Sequence, residues 1–138
     1  MSPGVLRGQG PVVAVVAAGG AIGALGRYGA ALLWPVAPGG FPWSTLAVNA
    51  VGCAVIGVFM TLLDEGWAVH HLIRPFFATG VLGGFTTLSA YALEIRQLAE
   101  HGAFATACGY LFATLFAALG GVGAAAALTR FVVTRRVA

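Results

Sequence analysis

Four long apolar runs alternate with short polar connections along the chain, over residues 11–34, 43–63, 75–93 and 102–128. A helix rising about 1.5 Å per residue crosses the roughly 30 Å hydrocarbon core in about 20 residues, so each run is of spanning length. The connections carry nearly all the charge. Arg7 precedes the first run, a Pro- and Gly-rich turn follows it, and Asp64, Glu65, His70, His71 and Arg74 separate the second from the third. Pro75 suits the first turn of a new helix, where its missing N–H costs nothing. Glu94, Arg96, Glu100 and His101 are read as the return to water, and Arg130, Arg135 and Arg136 as a basic tail. The pattern predicts an all-α membrane protein with one four-helix domain over 1–138. A signal-peptide reading of the first run fits poorly, because about 24 residues exceed a secretory h-region of roughly 7–15.

Each run has polar or small residues that break its apolar character. In the third, Gly83-Gly84 is followed by Thr86-Thr87, and glycine in a helix costs about 1 kcal/mol relative to alanine. The helix is expected to unwind near Gly83–Thr87. Freed backbone groups at membrane depth need protein, an ion or cavity water as partners, which points to an ion or substrate site. In the first run Gly19, Gly20, Gly23 and Ala24 are read as a close-packing face, while Arg27 either snorkels, attracts an anion in a vestibule, or clamps a neighbouring helix end. In the second, Trp43 is an interfacial anchor and Ser44 a candidate cap. Thr45 and Asn49 are four apart and share a face, as pore lining or interhelical glue. In the fourth, Thr106, Tyr110 and Thr114 form one polar stripe, and Ala117, Gly120, Gly121 and Ala124 offer close-packing surface.

Composition strengthens the membrane reading: 59% of residues are hydrophobic and 8% charged, where a soluble domain carries about a quarter. The net charge of +3 and a pI near 9.4 raise the question of nucleic acid. Every basic residue is Arg, and these lie at the edges of the runs, so they report orientation in a bilayer instead. Cys53 and Cys108 sit inside runs and are read as small core residues. Adjacent His70 and His71 point apart on a helix, and nothing completes a metal set. With Glu94 assigned to water, the runs hold no acid, which argues against a proton-coupled exporter. With every His in a loop, no Ser–His pair supports an intramembrane hydrolase. Neutral donors without an acid suit a small anion.

Three motifs in order, Gly-Gly-Ala-Ile-Gly-Ala-Leu-Gly-Arg-Tyr from Gly19, Ser-Thr-Leu-Ala-Val-Asn-Ala-Val-Gly from Ser44 and Gly-Gly-Phe-Thr-Thr-Leu-Ser from Gly83, resemble the small bacterial fluoride channels also called camphor-resistance (CrcB) proteins. The resemblance implies a multi-pass protein of the bacterial inner (plasma) membrane, no enzyme, whose four-helix subunits pair as antiparallel dual-topology dimers. Such dimers hold two fluoride pores and one central structural Na+ that is not transported. It implies Gly83 and Thr86 as carbonyl ligands of sodium, and Asn49, Thr45, Tyr110 and Thr114 as pore lining, with Arg27 as the first-helix arginine. Two phenylalanines whose ring edges contact fluoride correspond to Leu88 and Tyr91, so one aromatic edge is replaced by an aliphatic side chain. The track's next hydroxyl position is Ala118.

Charge placement bears on partnership. Arg7, Arg74, Arg130, Arg135 and Arg136 share one side, and Arg96 with an outward-snorkelling Arg27 the other, a bias of five to two. Both termini are expected inside. The functional expectation is a fluoride-efflux subunit in a homodimer, or in a heterodimer with a differently oriented homologue; the alternative is a non-conducting subunit that stabilises a partner's pore.

Overall fold

The structure, a computed structural model, describes residues 9–137, with side chains through Arg135; Arg7 and the side chain of Arg136 lie outside the described residues. The fold is all-helical over these residues: α1 (Gly10–Leu33), α2 (Trp43–Asp64), α3 (a π-wound stretch Pro75–Leu82 closed by an α turn Gly83–Phe85), α4 (Leu88–Glu100) and α5 (Phe104–Val137). Four helical stretches are long and apolar enough to cross a membrane, α3 and α4 together forming the third.

The ends follow from local chemistry. Pro11 and Pro75 occupy the first turns of α1 and α3. After α2, Trp67 N–H donates to Leu62 O and Gly66 N–H to Leu63 O. After α4, Ala103 and Gly102 repeat the pattern onto Leu98 and Ala99. Both are Schellman closures, and each needs the positive φ that Gly66 (92°) and Gly102 (73°) supply. The third span reaches Glu100 and the fourth helix reaches Val137, both beyond the expected ends at 93 and 128.

Packing inverts the soluble pattern. α2 buries Ser44, Val48, Asn49, Gly52, Gly57 and Thr61, a stripe of small and polar residues, while large apolar side chains such as Leu25, Leu33 and Phe116 face outward. Lipid is as apolar as leucine, so helices associate through close approach and hydrogen bonds instead of apolar burial. α1 packs on α3, and α2 on α5. A Cβ at Gly19 would strike Phe76 O, and one at Gly23 would strike Val81 O. Of the two α5 glycines expected at a close contact, Gly121 makes one, 3.2 Å from Ala50 O for an added Cβ, and Gly120 has no neighbour within 4 Å. Tyr110, fully buried, centres a small cluster with Leu98 and Ala107.

Candidate functional site

Between α3 and α4 the backbone leaves the helix. Thr86 (φ −77°, ψ 156°) and Thr87 (φ −151°, ψ 120°) are extended, and the helix restarts at Leu88. Thr87 caps the new helix, its Oγ1 accepting from Ala90 N–H at 3.1 Å. Asn49 of α2 binds the backbone of the same residue twice: Nδ2 donates to Thr87 O at 3.0 Å, and Thr87 N–H donates to Oδ1 at 2.8 Å. One amide therefore satisfies both backbone groups of Thr87, as a membrane interior demands of freed backbone. Arg27 Nε donates to Gly84 O at 3.2 Å, so of its three sequence readings the geometry selects the helix-end clamp over outward snorkelling.

These bonds leave two carbonyls without their usual helical donors. Thr87 N–H, which would close onto Gly83 O, is taken by Asn49, and Ala90 N–H, which would close onto Thr86 O, is taken by Thr87 Oγ1. Gly83 and Thr86 also line one cavity of about 210 Å³, beside Gly52 and Cys53. Carbonyl oxygens with free lone pairs at an open wall are hard donors, the set that a sodium ion takes. Two such carbonyls fit part of a shell of about six oxygens. Among the described residues no three His, Cys, Asp or Glu side chains converge on a metal position. His70 and His71 stack on each other at 4.3 Å, and His70 Nδ1 accepts from Leu72 N–H.

The six residues expected along the pore fall into two groups. Asn49, Leu88, Tyr91 and Thr114 line a cavity of about 250 Å³ together with Cys53, Thr86, Thr87 and Ala118. Thr114 Oγ1 is buried there and has no hydrogen-bond partner among the described residues. Leu88, 77% exposed, stands at the edge, and Tyr91 turns its hydroxyl to Leu111 O at 2.9 Å. Cys53, expected in the core, is half-buried on this wall, and Cys108 is exposed. Ser44 is not a cap: it is the second residue of α2, 5% exposed, behind Pro42.

Thr45 and Tyr110 make up the second group, and they converge on a residue the sequence assigned to water. Thr45 Oγ1 donates to Glu94 Oε1 at 2.7 Å, and Tyr110 O–H donates to Glu94 Oε2 at 2.6 Å. The acid-free interior is thereby corrected. α4 continues past position 94 to Glu100, so the carboxylate stays within reach of α2 and α5. At 2.7 and 2.6 Å both hydroxyl protons are engaged by the carboxyl oxygens. An anion that uses these donors has to share them with Glu94. The carboxylate borders two cavities, one of about 180 Å³ shared with Arg27 and Ser44 and one of about 330 Å³ at the α1–α2 turn with Gln97 and His101. The signal available in the sequence was spacing: Tyr91 and Glu94, three apart, share a helix face.

Four spanning helices, a broken third span and hydroxyl and amide donors around inner cavities define a small multi-pass membrane protein with a polar-lined interior. The profile of the family described as CrcB-like protein, Camphor Resistance (CrcB), matches residues 14–128, and the chain belongs to that family. Its relatives include proteins named fluoride-specific ion channel FluC 2 from Streptomyces avermitilis, 62% identical over 79% of this chain and 69% of the relative, and FluC 1 from Streptomyces coelicolor, 57% identical over 94% and 84%. A protein named FluC 3, also from Streptomyces avermitilis, is 38% identical over 91% of this chain and 62% of the relative. The family is one of ion channels, not enzymes.

Proposed function

We propose that this chain is a fluoride channel subunit of the bacterial plasma membrane that lets the ion leave the cell passively, within a dimer of two oppositely oriented chains. The observation that carries the reading is Thr114: a buried hydroxyl with no hydrogen-bond partner among the described residues, on the wall of a cavity that Asn49 also lines. A small, strongly hydrated anion gives up water only where donors replace it, and an unpaired buried donor is costly unless something comes to use it. The names of the relatives supply the ion. Passive flow suffices, because hydrogen fluoride enters neutral, dissociates at cytoplasmic pH and accumulates as the anion.

The carbonyls of Gly83 and Thr86 hold a structural sodium ion, which supplies a fixed positive charge that ties down the unwound backbone. One chain offers too few oxygens for such a cation, which typically takes about six, so the same carbonyls of a second chain complete the set. Asn49 and Thr87 keep those carbonyls free by taking the competing donors, the Thr87 N–H and the Ala90 N–H.

A second reading, a non-conducting subunit that supports a partner's pore, is favoured by Leu88, whose aliphatic side chain stands exposed where the resemblance implies an aromatic edge. Streptomyces avermitilis carries at least two FluC relatives, so paired homologues within one organism are available in the family. The test is efflux from liposomes holding this chain alone, or with a homologue that has both phenylalanines. Fluoride efflux without chloride efflux from the chain alone supports a homodimeric channel. Efflux only with the homologue supports the second reading, and equal chloride flux sinks the selectivity claim.

A further inference from the structure

The last helix outlasts the bundle. Its 34 residues extend about 51 Å, against a hydrocarbon core of about 30 Å. α2, its packing partner, ends at Asp64, and Glu65 Oε1 lies 4.0 Å from Arg130 Nε, so Arg130 stands level with that end. Residues 131–137 run on for about 10 Å. This overhang joins two chemistries. Phe131 and Val132 are 52% and 44% exposed, and the Arg135 guanidinium lies 4.1 Å from the Phe131 ring centroid. Among the described residues, Arg135 has no carboxylate within ion-pair distance, and the only ion pair at this end is the loose one of Arg130.

We propose that the end of α5 is a binding site for anionic phospholipid head groups. Arg130 and Arg135 meet the phosphates, while Phe131 and Val132 enter the border of the acyl chains. Depth and charge together select this occupant: the overhang begins where the bundle leaves the hydrocarbon, which is where head groups lie, and guanidiniums near an anionic leaflet attract it. The acids at this end, Asp64 and Glu65, sit at the end of α2, and Glu65 is the one that faces Arg130. Arg135 is left for the lipid, and Arg136 follows it in sequence.

The assay uses the intact assembled protein in detergent, titrated with phosphatidylglycerol and followed by thermal unfolding and by native mass spectrometry of retained lipid. Arg130→Gln and Arg135→Gln are each expected to weaken phosphatidylglycerol binding roughly fivefold, with Arg96→Gln at the opposite end unchanged. Added salt should weaken binding to the parent protein and flatten these differences. Equal phosphatidylglycerol affinity of the parent and Arg135→Gln would overturn the proposal, as would equal stabilisation by phosphatidylcholine or by inorganic phosphate. Should Arg130→Gln misfold through loss of its Glu65 contact, Arg135→Gln alone decides, since Arg135 makes no such pair among the described residues.

Discussion

Asn49→Ala removes two hydrogen bonds at once and leaves both backbone groups of Thr87 without their partner. An orphaned buried polar group costs about 1–3 kcal/mol in water-soluble proteins, which sets an upper figure of about 6 for the pair. Side-chain bonds inside membranes average only about 0.6 kcal/mol, which sets a lower figure of about 1.2. Thr87 lines the cavity of about 250 Å³, where water can stand in for the lost amide. That places the expectation near the lower end, at about 1–3 kcal/mol. Two measurements on the assembled protein check it. The unfolding equilibrium should shift by that amount, and the Thr87 amide, bonded to Asn49 Oδ1 in the parent, should exchange its hydrogen about tenfold faster for each 1.4 kcal/mol lost. Fluoride efflux should fall as well, because the amide both lines the cavity and, by taking the Thr87 N–H, keeps the Gly83 carbonyl free. Unchanged stability together with unchanged Thr87 exchange would refute the clamp, and any remaining loss of flux would then belong to the amide as a direct donor to the ion.

Neighbouring glycines at the break should behave differently. A Cβ at Gly84 would press on the backbone of Gly20, whereas one at Gly83 meets nothing within 4 Å. Gly84→Ala is expected to destabilise the subunit by about 2 kcal/mol or more through forced separation of α1 and α3; Gly83→Ala should leave the monomer fold intact, so weakened dimer assembly or sodium retention in that variant locates the ion, and parental behaviour in both removes it. Tyr110→Phe leaves Glu94 Oε2 without its donor and should cost about 2 kcal/mol, and pairing it with Glu94→Gln should recover at least half of that in a double-mutant cycle; strictly additive effects would mean that the 2.6 Å contact carries no coupling. Preparation in sodium-free buffer should lower both dimer stability and flux, while a sodium gradient at full occupancy should change nothing; flux that follows the gradient identifies a symporter instead.

Much of this molecule is written locally. Spanning length and apolarity are properties of each run by itself, so four helices and a membrane setting follow from sequence without knowledge of any contact. The glycine–threonine cluster likewise marks the place where the third span weakens, since propensity acts residue by residue, and the donors Thr45, Asn49, Tyr110 and Thr114 are legible as polar positions in apolar helices. What they bond to is not, because partners come from other spans. Arg27 could equally have reached for water until α3 placed Gly84 O within 3.2 Å of it. Gly83 and Gly84 are identical letters, and only the approach of α1 makes one replaceable and the other fixed. Glu94 shows the difference most clearly. A carboxylate next to Arg96 and Glu100 has the composition of a helix end, yet α4 carries it about 9 Å short of that end. There α2 and α5 present a hydroxyl to each of its oxygens, and a charge that local sequence assigns to solvent becomes part of the interior.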